Sequence, residues 1–408
     1  MTDLDPSDLD PSDPGGHDLT GPHTRRAVEV MGISGRSLGS CPPLLHGFAV
    51  VKIAAARANG DTGALDPALA EALAEAARSI GRGEIKATAF PADLLAGGGS
   101  IAVHMNVNEV LAALAGDALG RPTQGPDAVD PKAHAGASQS TADVSHTAAR
   151  LAVLDRAAAL LATSDRTIAT LHDVADRFDS VTTLARTCLQ DALAAPLSTI
   201  FRGAAEAIGR RSAAMVGALT PLHDVVIGTT VIGRGDHAGA AYRSAVVDHL
   251  AFETGRPLRA HPNPASALQH GDDLVAVSAA VTQLTYPLLK LAADLRLLGS
   301  GPAGGFGEIV MGSVLDGSSF FANKRNPVVA ETMMQACLQV QGLDHTVHLA
   351  AGRAELYLQV FDGLVTVDLL DEIELLTQAI DRLDRFALHD LQADVERCAE
   401  LAAVVTSP

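Results

Sequence analysis

The stretch "DGSSFFANKRNP", Asp316–Pro327, decides how this chain is read. Gly, Ser, Lys and Asn dominate it, residue types that let backbone approach a polar ligand and donate hydrogen bonds to it. Phe320 and Phe321 sit in its middle, in a chain with only 10 Phe. Asn326-Pro327 reads as the N-cap and first residue of a helix that continues through "VVAETMMQACLQVQG". Lys324 and Asn326 then stand just ahead of a helix N-terminus, where negative charge is favoured. A point charge and an amide donor together suit a carboxylate. Gly317 lets the backbone come close, and Ser318 and Ser319 add hydroxyls and N–H groups. Taken alone, the stretch fits a dicarboxylate clamp and an ordinary polar loop before a capped helix equally well.

The rest of the chain narrows the choice. Its 408 residues predict two or three domains. Hydrophobic residues make up 47%, aromatics only 3%, and Trp is absent, which favours helix packing on helix. The net charge of −18 argues against nucleic acid or an anionic membrane as the main partner. No apolar run is read as long enough to span a bilayer. The 4 Cys residues form no C-x-x-C pair, and the expectation is a reduced, cytoplasmic protein.

Residues 1–20 repeat "DLDPS", are rich in Asp and carry no Lys or Arg, the composition of a disordered acidic tail. Residues 21–131 read as mixed. "ALDPALAEALAEAARSIGRGEI" is helical with Asp66-Pro67 as its N-cap and first residue, and "MNVNEVLAALAGDALG" is a second helix. From about residue 143, apolar residues recur at three- and four-residue spacing over 144–178, 191–219, 239–255, 274–298, 327–350 and 355–390. That is the pattern of long bundle helices, and helices apolar on more than one face call for partner subunits.

Three motifs mislead. "GSGPAG" (299–304) has dinucleotide-loop spacing but follows helical "LLKLAADLRLLG" rather than a strand, so a helix stop and turn is expected. "GRSLG" (35–39) matches a nucleophile elbow, but its flanks suit a surface loop. His345 and His348 lie three apart on a helix, yet no third ligand completes a zinc site.

"GSSFFANKRNP" resembles the signature of the aspartase/fumarase superfamily, G-S-S-x-M-P-x-K-x-N-P. The likeness continues in order through "GPHTRRAVEVMGISG", "VVKIAAARAN", "FPADLLAGGGSIAVHMNVNEV", "HAGASQSTAD", "ARTCLQDALAAPLSTIFRG", "ADLRLLGSGPAGGFGEI" and "LQADVERCAEL", and so covers nearly the whole chain after residue 20. The resemblance implies a mainly α, three-domain subunit with a central long-helix bundle, assembled as a homotetramer whose sites are shared between chains. The expected division is the tail 1–20, an N-terminal mostly helical domain 21–142, the bundle domain 143–390 with its loop at 316–327, and a remnant of the C-terminal domain at 391–408. The C-terminal domain is expected to be largely missing.

The resemblance also implies β-elimination from a 2-substituted succinate to fumarate, a small dicarboxylate chemistry without metal or organic cofactor. Ser318 would be the base, acting as an alkoxide, with an aci-carboxylate dianion met by preorganised donors. Backbone N–H groups around Gly317–Ser319 would help both the alkoxide and the dianion. Lys324 and Asn326, assisted by Thr187, would hold the other carboxylate, and Ser140 and Thr141 would contact the substrate from another chain. The departures fall in the pocket. Ile101 and Ala102 stand where the family carries hydroxyls, His104 and Ala142 where it carries Asn, and Cys188 where it carries His or Gln. Glu331, the acid that pairs with that His, remains, and Phe321-Ala322 replaces Met-Pro. Cys188, read on a helix, is either a small packing residue or a thiol in the pocket; Phe320 is read as packing. The expected catalytic set is therefore Ser318, Lys324, Cys188 and Glu331. The expected binding set is Ser140, Thr141, Thr187, Ser319, Asn326, Phe321, Ile101 and His104. Two functions follow: a lyase with an altered leaving group, N-linked or nitro, or a non-catalytic paralogue that assembles with an active homologue.

Overall fold

A computed structural model describes residues 19–406 except 313, 316, 318, 322 and 323. In chain order its helices are α1 (Pro22–Met31), α2 (Pro42–Asp61), α3 (Pro67–Gly81), α4 (Ile101–Ala118), α5 (Thr141–Arg177), α6 (Ser198–Leu219), α7 (Ala240–Thr254), α8 (Pro264–Gln269), α9 (Asp272–Leu298), α10 (Val328–Ala351), α11 (Asp362–Leu383) and α12 (Val395–Thr406). A hairpin of β1 (Thr182–Thr187) and β2 (Gln190–Pro196) lies between α5 and α6. The fold is mainly α, as the spacing of apolar residues predicts. The described residues form two compact units. One runs to Ala148 and adds Val226–Ala260; the other comprises Ala149–Val225 and the chain from His261 onward.

In the first unit, small side chains set how closely helices approach. Ala54, Ala55 and Ala58 of α2 are buried where α3 and α7 pack on it. A Cβ on Gly47 would meet the Ala148 carbonyl oxygen at 2.5 Å, so only glycine lets α2 and the start of α5 come this near. The Asp66 carboxylate caps α3, accepting from Ala68 N at 3.0 Å and Leu69 N at 3.3 Å, with Pro67 next, as expected. Leu69, Leu73, Ala77 and Ile80 bury one face of that helix. From α4, the Glu109 carboxylate accepts from His23 N and Thr24 N, both at 2.9 Å, and so caps α1.

The "GRSLG" segment follows α1, not a strand, so the nucleophile elbow is excluded. It is a loop exposed at Gly35 and anchored at its C-terminal end. Leu38 is fully buried, and Asp93 holds the turn by accepting from Ile33 N at 2.9 Å and Ser34 N at 2.7 Å.

The second unit is built on long helices. α9 packs against α6, α10 and α11, and α10 against α11. Leu284, Leu288, Leu291 and Leu295 of α9 are fully buried, as are Val340 of α10 and Ile373, Leu376 and Ile380 of α11. By length and hydropathy α9 could cross a membrane, contrary to the expectation that no segment could. Its buried leucines instead make it the core helix of this unit.

Two segments depart from the helical pattern. Residues 191–196, expected to open a helix, form β2, and α6 begins only at Ser198. Thr182 pairs with Pro196 and Thr187 with Gln190, antiparallel, and α12 packs on the hairpin. The helix expected from 355 begins at Asp362, after a turn in which Glu355 and Leu358 bridge. α10 begins at Val328 with Pro327 at the N-cap, one residue later than read.

Candidate active site

The first unit gathers a buried polar set around Lys52. An ammonium on the apolar face of α2 needs every N–H satisfied. Lys52 Nζ meets His104 Nε2 at 2.8 Å and donates to Gln139 Oε1 at 2.6 Å and the Ala135 carbonyl at 3.1 Å. Burial pushes the Lys52 amine down to about 7, and the negative charge of Asp143 opposes that shift. His104 is buried as well, and desolvation together with the Lys52 charge holds it well below the usual imidazole range. Its Nδ1 lies 2.9 Å from Thr141 Oγ1. His104, expected to touch substrate, thus has both ring nitrogens engaged and stands behind Thr141.

Thr141 and Ser140 open α5. Ser140 Oγ accepts from Ala142 N at 3.2 Å. The Asp143 carboxylate accepts from Ser140 N at 2.9 Å, Gly228 N at 3.0 Å and Thr230 N at 2.9 Å. Burial pushes Asp143 up to about 6, against those bonds and the Lys52 charge. Both hydroxyls therefore sit, half-buried, at the positive end of a 37-residue helix. Ile101 begins α4, one turn before His104, and is 51% exposed; Ala142 is buried.

The second unit carries the other expected residues. Thr187 ends β1 and Cys188 and Leu189 form the hairpin turn, both with left-handed φ, 53° and 59°. Cys188 is on this turn and not on a helix, and its side chain is exposed. The turn is held from below. The fully buried Glu308 carboxylate pairs with Arg186 Nη1 at 2.6 Å and also accepts from Thr183 Oγ1, while the Arg186 guanidinium stacks on Phe306 at 4.1 Å. Lys324 and Asn326 are exposed ahead of α10, as is Ser319. Lys324 N donates to the Phe321 carbonyl at 3.0 Å. Phe320 and Phe321 meet edge to face with centroids 4.7 Å apart, both exposed in the single chain. Ser318 and Ala322 lie outside the described residues. Glu331 pairs with Arg296 Nη2 at 3.4 Å, so an arginine occupies the acid that the family matches with His. No described hydrogen bond joins Thr187 or Cys188 to Lys324, Asn326 or Glu331.

His345 and His348 are exposed on α10, and His348 Nδ1 lies 3.2 Å from Asp344 Oδ1. Among the described residues no group of three or more His, Cys, Asp or Glu side chains could hold a metal ion.

A family described as lyase matches the chain over residues 18–342. An aspartate ammonia-lyase from a Bacillus species is 33% identical over 380 residues, 93% of this chain and 81% of that protein. A class II fumarate hydratase from Pseudomonas aeruginosa is 32% identical over 385 residues, 93% of this chain and 82% of that one. Among solved structures, a fumarate lyase:delta crystallin from Brucella melitensis bound to cobalt superimposes with a TM-score of 0.91 at 34% identity, covering 94% of this chain and 83% of that one. The mainly helical fold is shared with these lyases. The chain belongs to the lyase family that includes aspartase and class II fumarase, the aspartase/fumarase superfamily.

Proposed function

We propose that the chain eliminates a leaving group other than ammonia or water from a 2-substituted succinate, releasing fumarate. The observation that carries this reading is the pair of hydroxyls opening α5. Ser140 Oγ already accepts from Ala142 N, and Thr141 Oγ1 is engaged by His104. Ser140 has no described acceptor for its own proton, and Thr141 has none when His104 Nδ1 carries the imidazole proton, so both can donate to a carboxylate at a helix N-terminus.

In this reading Ser140 and Thr141 act on one carboxylate and Thr187, Lys324 and Asn326 on the other, from different copies of a homotetramer. Ser318, as alkoxide, takes the proton next to the carboxylate. The electron pair moves into an aci-carboxylate, which Ser319 and loop N–H groups stabilise. It then forms the carbon–carbon double bond as the leaving group departs with its own pair. Ile101, Ala142 and Cys188 offer little to hydrogen-bond an amine or a hydroxyl, and a site that lacks such partners discriminates against those groups. A group that leaves as a stable anion, such as nitrite, needs no proton from the enzyme. An N-linked succinyl adduct is the other candidate.

The test is a panel of 2-substituted succinates with fumarate release as the readout. Turnover of a nitro or N-substituted member, with little on aspartate or malate and none in Ser318→Ala, supports the proposal. Efficient turnover of aspartate or malate would overturn the altered leaving group. No turnover of any member would favour a non-catalytic paralogue.

A further inference from the structure

The chain from Gln139 through Lys52 and His104 to Thr141 fixes the direction of each hydrogen bond. With its amine pushed down to about 7, Lys52 is an ammonium below that pH, with three N–H groups and no lone pair. Lys52 Nζ has three acceptors in reach: His104 Nε2 at 2.8 Å, Gln139 Oε1 at 2.6 Å and the Ala135 carbonyl at 3.1 Å. The Gln139 amide is oriented to match, since its Nε2 donates to the carbonyls of Ala135 at 3.2 Å and Ala137 at 3.0 Å, leaving Oε1 for Lys52. In that protonated form His104 Nε2 is a lone pair, and the single imidazole proton sits on Nδ1. That proton can go only to Thr141 Oγ1, 2.9 Å away. Thr141 must accept from His104, and its own O–H, with no acceptor among the described residues, must point elsewhere. Nothing about the sequence spacing demands this. The three partners of Lys52 lie 52, 83 and 87 residues away from it.

We propose that Lys52 and His104 are positioning residues that lock the Thr141 hydroxyl as a hydrogen-bond donor to a substrate carboxylate. The proposal rests on the reading of Thr141 given under the proposed function. A free threonine hydroxyl can turn to accept or donate, and a carboxylate rewards only the donor. With His104 donating to it, Thr141 is preset before the anion arrives. A hydrogen bond to a charged group contributes about 1.5–3 kcal/mol, on the order of 10- to 100-fold in binding.

The experiment compares Thr141→Val, His104→Phe, His104→Asn and the Thr141→Val/His104→Phe double variant. It measures KM and kcat on the best substrate of the panel and, by calorimetry, the affinity for succinate as an unreactive dicarboxylate. Circular dichroism and thermal melts establish folding. Thr141→Val and His104→Phe are each expected to weaken succinate binding and raise KM 10- to 100-fold, with kcat changed far less. The double variant is expected to be no worse than Thr141→Val, because His104 acts only through Thr141. His104→Asn keeps one acceptor and one donor and is expected to recover most of the affinity. If Thr141→Val weakens binding but folded His104→Phe does not, or if the two losses add, the positioning role is overturned while the function reading stands. If Thr141→Val leaves succinate binding and KM unchanged, the reading of Thr141 itself falls. Should His104→Phe fail to fold, His104→Asn and Lys52→Met, judged by the same non-additivity with Thr141→Val, decide the matter.

Discussion

Ser278 Oγ lies 2.9 Å from Glu372 Oε1, and the same oxygen is 2.6 Å from Asp344 Oδ1. A hydroxyl has one proton and can serve one carboxylate. With Asp344 taking it, Glu372 must carry its own proton and donate to Ser278. Glu372 is fully buried, and burial, with the charges of Asp344, Asp368 and Asp371, pushes its carboxyl up to about 8. The folded chain therefore holds a proton that the unfolded chain releases near the ordinary glutamate value. Stability from this group is present below about pH 4.5 and is lost as pH rises to about 8, at up to ~1.4 kcal/mol per unit. Glu372→Gln keeps the donor and removes the titration. The melting temperature of the wild type is expected to fall more steeply between pH 5 and 8 than that of Glu372→Gln. Parallel curves would show that Glu372 is ionised in the fold.

Glu308 and Arg186 form the buried ion pair beneath the hairpin turn. Arg186 is 12% exposed and Glu308 wholly buried, so truncating the acid strands a guanidinium with little water. Glu308→Ala is expected to cost about 3–5 kcal/mol in urea unfolding. Glu308→Gln, which keeps a carbonyl oxygen for Arg186 and Thr183, is expected to cost less. Equal losses would mean that the pair contributes shape rather than charge.

Cys188 is exposed, whereas Cys41, Cys337 and Cys398 are buried, and burial pushes the thiols of Cys337, to about 12, and Cys398 up. A thiol reagent on the native protein is expected to label one cysteine per chain, and mass spectrometry to place the label on Cys188. Protection by succinate would place the thiol near the dicarboxylate. Labelling elsewhere, or none at Cys188 in the unliganded protein, would sink the assignment.

What the sequence reveals, and what it hides, follows from the range of the interactions involved. α5, α7, α9 and α10 are legible because their apolar residues repeat at helical spacing over many turns. Asp66 is legible because a cap bonds its own helix. β1 and β2 are not. "TTLARTCLQDALAAP" has no Asn-Gly or Asp-Gly pair to announce a turn, its Ala and Leu suit a helix as well, and packing against α12 decides. Lys52 is hidden for the same reason. On "VVKIAAA" it reads as one charge on an apolar helix, and its acceptors arrive only when α4 and the 135–139 loop fold against α2.

The hairpin turn also carries a testable strain. Cys188 and Leu189 both take left-handed φ, 53° and 59°, between the paired residues Thr187 and Gln190. A two-residue turn of this form favours Asn-Gly, because a side chain in the left-handed region costs about 1–2 kcal/mol. Leu189 is 62% exposed, so little packing is lost with its side chain. Leu189→Gly is expected to stabilise the chain by about 0.5–1 kcal/mol, the relief of strain being partly offset by the greater freedom of glycine when unfolded. Leu189→Val, branched at Cβ, is expected to destabilise it by a similar amount, since such residues tolerate this region least. Urea midpoints of the two variants check both signs. A loss of stability in Leu189→Gly would mean that the turn is not held in the left-handed region in solution.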